Sequence, residues 1–193
     1  MTDIPRVVTL WLDPVCPFSW NTARWLMAAA DKIGFEIDWR LMSLAVLNED
    51  RDMPAPLQQR MRDSKKMGRV MVALRDQLGV DAMARAYVAF GQRYFDEGAA
   101  LDDELIDQIA PSVGPSALAD GSFDTAVRAS HEASQKALGD VGGSPLITIN
   151  GRTLFGPVLT AVPEPDQTTA VFDAVLTLAR TDEFSQLQRP RHH

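Results

Sequence analysis

The side chain best suited to chemistry is that of Cys16, the only cysteine in a chain of 193 residues. It lies between an apolar run and a helical pattern, in the segment Asp13-Pro14-Val15-Cys16-Pro17-Phe18-Ser19-Trp20. The free N–H groups and the dipole at a helix N-terminus favour an anion, so we expect this thiol to have a pKa below that of a free cysteine. Ser19 follows one helical turn later, where its hydroxyl could donate a hydrogen bond to the thiolate. The alternative is that Cys16 is a small buried apolar residue.

A second feature is the Ser144-Pro145 pair, which immediately precedes an apolar, β-branched run. A proline is tolerated in a sheet at the first residue of a strand or at an edge. An X-Pro bond at a tight approach is also a candidate for the cis form, which would direct the Ser144 backbone at a neighbouring loop. The alternative is an ordinary trans proline in a loop.

Other reactive patterns are weaker. A protease-like pair of Cys16 with His131 is one alternative, but His131 lies far along the chain on a helical stretch. A phosphatase loop needs an arginine shortly after the cysteine, and position 22 is Thr22. The sequence has neither a Gly-rich phosphate loop nor a His-rich cluster, so we predict no metal site and no nucleotide held by a standard motif.

The elements around Cys16 form a strand–helix–strand pattern. The short apolar run at residues 7–12 predicts a buried strand, which Asp13-Pro14 ends. Apolar residues at helical spacing follow from Pro17, and Gly34 ends that helix. Residues 35–41 alternate between apolar and polar, as in a half-buried strand. This opening has the size of a βαβ unit with its right-handed crossover.

The rest of the chain is first helical and then returns to strands. Helices are predicted over residues 57–78, 82–95, 102–110 and 122–138, with Asp102 and Ser122 as N-caps. Two short strands, residues 146–149 and 152–155, then flank Asn150-Gly151, which is the strongest short-range signal for a hairpin. A final helix is predicted over residues 166–180. Because each strand-containing part is too small to bury a core alone, we expect both parts to join in one sheet.

Composition excludes several kinds of partner. With 19 Lys and Arg against 26 Asp and Glu, the formal net charge is −7, which argues against a nucleic acid or an anionic membrane as the main partner. No run approaches the roughly 18 apolar residues of a membrane span, and residues 1–6 lack the layout of a secretory signal. One cysteine excludes an internal disulfide and fits a reducing cytoplasm.

The local basic cluster is interpreted as a solvated helix face that could also attract an anionic cofactor. Its members are Arg60, Arg62, Lys65, Lys66 and Arg69.

Taken together, Cys16-Pro17-Phe18-Ser19 and Ser144-Pro145 resemble the redox motif and the cis-proline loop of the thioredoxin-fold superfamily, in its DsbA-like branch. This similarity spans nearly the whole chain. It implies an α/β, thioredoxin-like fold with an inserted all-helical domain. The implied boundaries are residues 1–46 and 139–193 for the thioredoxin-like domain and residues 47–138 for the insertion.

Two further stretches narrow the resemblance. Residues 39–48 and 150–159 look like those of an actinobacterial subgroup of mycothiol-dependent nitroreductases. The architecture is also similar to that of kappa-class glutathione transferases and 2-hydroxychromene-2-carboxylate isomerases. These relatives act with a low-molecular-weight thiol, so the resemblance implies mycothiol or glutathione as the co-substrate.

Relatives that work as dithiol oxidoreductases carry a second cysteine where this chain has Ser19. Without a resolving thiol the protein cannot form or deliver an intramolecular disulfide. The resemblance therefore implies a cytoplasmic monothiol oxidoreductase, in which the Cys16 thiolate and a small thiol reduce a mixed disulfide, a nitro compound or another electrophile. One alternative is a transferase or isomerase of the kappa-class type, in which Cys16 or Ser19 only activates the bound thiol. Another is a non-catalytic binding protein that retains the cis-proline groove.

The expected site follows from these readings. Cys16 and Ser19 are the candidate catalytic residues. Candidate contacts to the substrate or the cofactor thiol are Pro17, Phe18, Trp20, Asn48, Ser144 and Pro145. The expected partners are a small-molecule thiol and a small electrophilic or disulfide substrate, with no nucleic acid, membrane or metal, and a homodimer is left open.

Overall fold

The computed structural model describes residues 4–190, and its centre is a four-stranded sheet. The strands are β1 (Val7–Leu12), β2 (Glu36–Leu41), β3 (Leu146–Ile149) and β4 (Arg152–Phe155). Their order is β2-β1-β3-β4, with β1 parallel to β2 and antiparallel to β3, and β3 antiparallel to β4. The expected joining of the two strand-containing parts is confirmed, since β1 pairs with a strand from each part.

Helices surround this sheet. Six of the eight α-helices lie between β2 and β3 in the described chain, together with a π-helical turn at Gln92–Asp96 and a 3₁₀ turn at Gly121–Phe123. The α-helices are α1 (Pro17–Ile33), α2 (Leu44–Leu47), α3 (Ala55–Leu78), α4 (Val80–Gly91), α5 (Asp103–Ile109), α6 (Ser116–Ala119), α7 (Asp124–Leu138) and α8 (Thr168–Arg180). Among residues 4–190, no helix is long and apolar enough to cross a membrane.

The elements nearest Cys16 begin and end where local chemistry dictates. Pro17 occupies the first turn of α1, where its missing N–H leaves no hydrogen bond unmade. Gly34 ends the helix at a φ of 88°, a left-handed conformation that favours glycine. The β3–β4 turn places Asn150 and Gly151 at φ values of 52° and 78°, as the predicted hairpin requires.

Helix boundaries differ from the sequence prediction at a few ends. Asp102 caps α5 as predicted, accepting a hydrogen bond from Leu105 N–H at 3.0 Å. Ser122 does not cap α7, because the Asp120 side chain accepts the Ser122 N–H and residues 121–123 form a 3₁₀ turn instead. The helix predicted over residues 82–95 begins earlier, at Val80, and its last turn is π-helical.

One apolar cluster joins the sheet to α1 and α8 and also to helices of the segment between β2 and β3. It includes Leu10 from β1, Trp25 from α1, Met71 from α3, Tyr87 from α4 and Phe172 from α8, each 0–1% exposed. The helices between β2 and β3 therefore share their core with the sheet. This shared packing fixes the positions of the loop after β1 and of the segment before β3, which meet at Cys16.

Candidate active site

Cys16 lies at the N-terminal cap of α1, where the loop after β1 meets the segment before β3. Its backbone is extended, with φ −84° and ψ 115°, and its carbonyl accepts the first helical hydrogen bond from Trp20 N–H at 3.1 Å. The thiol donates to the carbonyl oxygen of Ser144 at 3.4 Å. The Ser144–Pro145 peptide bond is cis. Because Trp11 pairs with Leu146 across β1 and β3, the two segments reach the same end of the sheet.

Two serine hydroxyls lie beside the thiol. The Ser144 hydroxyl accepts a hydrogen bond from Asp13 N–H at 2.7 Å, and its oxygen is 2.5 Å from that of Ser19. The Ser19 hydroxyl and the N–H groups of Phe18 and Ser19 interact with the sulfur. Cys16, Ser19 and Ser144 are 4%, 0% and 6% exposed, so this polar group is enclosed by protein.

The expected low thiol pKa is wrong for this arrangement. Burial is the largest influence and raises the pKa of Cys16 above its ordinary value of 9.0, and the negative charge of Asp13 raises it further. Hydrogen bonds from the Ser19 hydroxyl and from the N–H groups of Ser19 and Phe18 act in the opposite direction. The donors at the N-terminus of α1 therefore lower the pKa of the thiol, but the loss of hydration raises it by more.

Asp13 is a component of the site that the sequence interpretation missed. Its carboxylate is fully buried and accepts hydrogen bonds from Val15 N–H at 2.9 Å, Leu44 N–H at 2.7 Å and the Ser64 hydroxyl at 2.5 Å. These bonds join the end of β1 to α2 and α3. Burial nevertheless raises the pKa of this carboxyl above its ordinary value. The only sequence signal was an acidic residue at the end of a buried strand.

Trp20 is held in the core rather than at an open pocket. It is 2% exposed, and its indole N–H donates to Asp96 in the π-helical turn at 3.0 Å. A Cβ atom at Gly91 would lie only 2.4 Å from the Trp20 ring. Its ring packs α1 against the inserted helices, and its role as a substrate contact stays a prediction. Pro17 and Phe18 are the half-buried members of the motif.

Asn48 and His131 have structural partners away from the sulfur. The Asn48 side-chain amide donates to Leu44 O at 2.8 Å, at the end of α2. The His131 ring nitrogen Nδ1 accepts from Ser43 N–H at 3.5 Å, so the protease-like pairing with Cys16 is wrong. Burial, the largest influence, lowers the pKa of His131.

Tyr87 is a second residue that sequence reasoning missed. Its ring meets Trp20 edge to face, with centroids 5.9 Å apart, and its hydroxyl is buried without a hydrogen-bond partner among residues 4–190. Burial raises its pKa well above the ordinary value, and the charges of Cys16 and Asp13 add to this effect. The phenol therefore lies within electrostatic range of the site and stays protonated.

The basic cluster lies along α3 at a separate cleft. This cleft has a volume of about 590 Å³ and is bounded on its other side by α6. Arg69 and Lys65, which line it, both pair with Asp124, at 2.7 Å and 3.2 Å. Their charges are thereby partly neutralised. Among the described residues, no group of three or more His, Cys, Asp or Glu side chains is arranged to hold a metal ion.

Comparison with known proteins identifies the family. The family model described as Rv2466c-like, mycothiol-dependent nitroreductase Rv2466c, matches residues 15–189. The chain belongs to this family. A member of the Mycobacterium tuberculosis proteome, the uncharacterized protein Rv2286c, is 26% identical over 191 residues, covering 95% of this chain and 82% of that protein.

Solved structures identify the fold. The cytosolic disulfide reductase DsbM from Pseudomonas aeruginosa, solved with GSH, has a TM-score of 0.57 at 14% identity, with 89% of this chain and 99% of that one covered. A 2-hydroxychromene-2-carboxylate isomerase has a TM-score of 0.57 at 17% identity, with 90% and 96% covered. The fold is therefore the DsbA-like, thioredoxin-like fold that the sequence predicts. The Rv2466c-like family supports a thiol-dependent redox or transferase activity.

Proposed function

We propose that the protein is a monothiol oxidoreductase in which Cys16 is the nucleophile and mycothiol is the co-substrate. The observation that carries this proposal is the position of Cys16 at the N-terminus of α1, 3.4 Å from the Ser144 carbonyl oxygen, in a chain of the Rv2466c-like family. Ser19 stands where a second cysteine would resolve a disulfide, so a second thiol must come from solution.

The proposed disulfide reaction is a pair of exchanges. The Cys16 thiolate attacks the mycothiol sulfur of a substrate–mycothiol disulfide, the substrate leaves as a thiolate, and a Cys16–mycothiol disulfide forms. A second mycothiol thiolate then attacks the mycothiol sulfur of that disulfide, which releases oxidised mycothiol and the Cys16 thiolate. Protons taken from the attacking thiols return to the leaving thiolates. Ser19 donates a hydrogen bond to the thiolate of Cys16 in both steps.

Reduction of a nitro compound balances in the same way. The Cys16 thiol and one mycothiol thiol together supply two electrons and two protons as they form a disulfide. A nitro group takes up both and becomes a nitroso group and water. A second mycothiol restores the Cys16 thiol by exchange, as in the disulfide reaction.

The burial of Cys16 has a consequence for either reaction. Because solvent exclusion raises the pKa of the thiol, we expect the thiolate to form when an incoming substrate or co-substrate displaces the covering side chains. Pro17 and Phe18 are half-buried beside the sulfur and are our candidate contacts for that molecule, together with Ser144 and Pro145. The reducing conditions of the cytoplasm suit a single unpaired thiol, and we propose that compartment.

The raised thiol pKa also favours a second candidate function. In a transferase or isomerase of the kappa-class type, a bound small thiol is the nucleophile, and Ser19 or Cys16 stabilises its anion without forming a covalent bond. The closely spaced hydroxyls of Ser19 and Ser144 suit that role, because hydroxyl donors stabilise a sulfur anion. The third candidate, a binding protein without thiol chemistry, is separated from both by the experiment below.

Intact-mass measurement after incubation with oxidised mycothiol tests the proposal. We expect one mycothiol adduct per chain, removed by reduced mycothiol and lost in Cys16→Ala. Oxidised glutathione, tested in parallel, measures the preference for the co-substrate. Turnover of an electrophile with mycothiol but no adduct would support the transferase instead. Neither adduct nor turnover would leave only the binding protein, so both outcomes would contradict the oxidoreductase.

A further inference from the structure

The hydrogen bonds around Ser144 form a buried row that leads to the sulfur. Asp13 N–H donates to the Ser144 oxygen at 2.7 Å, and the Ser144 and Ser19 oxygens are 2.5 Å apart. Ser19 lies in the first turn of α1, three residues after the cap residue Cys16, and a hydrogen bond from its hydroxyl lowers the pKa of the thiol. All three side chains in the row are at least nine-tenths buried, so solvent does not complete their hydrogen bonds.

The contact between the two serine oxygens fits either as the donor, so its direction depends on the groups that adjoin the row. The two serine hydroxyls have two protons, and one of them lies between the oxygens. The other must point outward, either from Ser144 or from Ser19. On the Ser144 side, the neighbouring group is the Asp13 N–H, which is itself a donor. On the Ser19 side, the neighbouring group is the Cys16 sulfur, which accepts.

We propose that Ser144 is a positioning residue whose hydroxyl donates to the Ser19 oxygen and so holds the Ser19 proton toward the sulfur of Cys16. This inference rests on the proposed function and deepens it, because it assigns a task to a side chain beyond the backbone carbonyl that contacts the thiol. A hydroxyl that accepts one hydrogen bond becomes a better donor for the next. Ser144 therefore stabilises the thiolate through the Ser19 hydroxyl.

The same arrangement explains what a serine can do at position 19. A serine cannot form a disulfide with Cys16, but its hydroxyl is a stronger donor than a thiol. With Ser144 fixing its rotation, the hydroxyl offers a constant donor to the sulfur during both exchange steps. The donor also partly opposes the effect of burial, which raises the thiol pKa.

The pH dependence of Cys16 alkylation by iodoacetamide tests this assignment without any co-substrate. Since Cys16 is the only cysteine, the rate reports that thiol alone. The midpoint of the profile gives the pKa, and the plateau at high pH gives the accessibility of the sulfur. We expect Ser19→Ala to lower the rate below the midpoint about tenfold and Ser144→Ala about threefold, as loss of one direct and one indirect hydrogen bond.

The double variant distinguishes the relay from two independent effects. Because Ser144 acts through Ser19, Ser19→Ala/Ser144→Ala should have the same midpoint as Ser19→Ala alone. Ser144→Thr, which keeps the hydroxyl, should restore the wild-type midpoint. Ser134→Ala is the matched control, since it removes another fully buried hydroxyl that donates to His131 O in α7 and should leave the midpoint unchanged.

Three results would overturn the assignment: an unchanged midpoint in Ser144→Ala, additive shifts in the double variant, or a change in the plateau without a change in the midpoint. Thermal unfolding establishes that each variant is folded, and Ser144→Gly removes the same hydroxyl if Ser144→Ala does not fold. The midpoint is measured on the protein alone. Failure of the relay is therefore distinguishable from failure of the mycothiol adduct to form.

Discussion

Opposing interactions act on the sulfur of Cys16. Burial and the Asp13 charge raise the thiol pKa, whereas the hydroxyl and N–H of Ser19 and the N–H of Phe18 lower it. The donors belong to α1 and stay with the sulfur, but burial depends on the residues that cover it. A local movement that admits a ligand would therefore weaken the effect of burial and keep the hydrogen bonds from α1. The thiol would then become reactive when it becomes accessible.

Replacing Asp13 by asparagine tests the charge effect. We expect Asp13→Asn to lower the pKa of Cys16, because the negative charge that disfavours the thiolate is removed. The measurement is the midpoint of the alkylation profile against pH. Asp63→Asn is the control, since Asp63 lies on α3 and hydrogen-bonds Tyr94, at 3.3 Å. An unchanged or higher midpoint in Asp13→Asn would contradict the charge effect.

How much of the site could be predicted depends on where each signal lies. Cys16, Ser19 and Ser144 each adjoin a strand or helix boundary that local sequence marks, and the resemblance to the thioredoxin fold implied that Cys16 and Ser144 approach each other. Asp13 could not be assigned because its partners, Leu44 and Ser64, come from distant segments. The prediction of a low thiol pKa is wrong for the same reason. Nearby residues show that Cys16 lies at a helix end, but its burial is produced by the packing of the whole chain.

At the scale of elements, α1 and α4 are joined through one indole ring. Trp20 stacks on Phe95 at a centroid distance of 6.2 Å and meets Tyr87 edge to face. Gly91 gives the ring its space, since no larger side chain fits between helix and indole. Trp20 lies four residues after Cys16, so this packing also fixes the first turn of α1.

Alanine at Gly91 should destabilise the protein. A Cβ atom there would lie 2.4 Å from the Trp20 ring, and overpacking of this kind costs about 1–3 kcal/mol. Gly68→Ala is the matched control, because a Cβ at Gly68 meets Val127 at an ordinary 3.6 Å and improves the propensity of α3 by roughly 0.5–1 kcal/mol. Urea unfolding measures both. Equal effects of the two substitutions would show that the Trp20 contact does not set the tolerance at position 91.

The elements themselves were largely predictable. The hairpin at Asn150-Gly151 and the start of α1 at Pro17 depend on backbone preferences of a few neighbouring residues. The start of α7 was predicted two residues early because Ser122 and Asp120 both suit a cap, and only the folded chain shows that Asp120 binds the Ser122 N–H. The π-helical turn after α4 left no local signal that distinguishes it from an ordinary helix.

At the scale of the molecule, stability should depend on pH through His131. Its pKa in the fold lies below the ordinary value of 6.5, mainly because of burial, so the unfolded chain binds a proton more readily. Stability from this residue is therefore lost as the pH falls from above 6.5 through the folded pKa. Asp13 contributes the opposite slope, because its pKa is raised in the fold.

His131→Asn isolates the histidine contribution. The asparagine oxygen can accept the Ser43 N–H but does not titrate. We expect the wild type to lose more free energy of unfolding than this variant between pH 7.5 and pH 5.5, as measured by urea denaturation. The contribution of Asp13 is common to both proteins and cancels in the difference. An equal loss in both would rule out the assigned effect of His131.

The pairing of β1 with β3 has a consequence for how the protein is made. Cys16 and Ser144 meet across 128 positions of sequence, and β1 finds its antiparallel neighbour only after all the intervening helices have been synthesised. Closing so long a loop is entropically unfavourable and slow compared with local helix formation. On the ribosome, the contact between the Cys16 thiol and the Ser144 carbonyl can therefore form only after this late segment has emerged from the exit tunnel, and it marks the completion of the native topology.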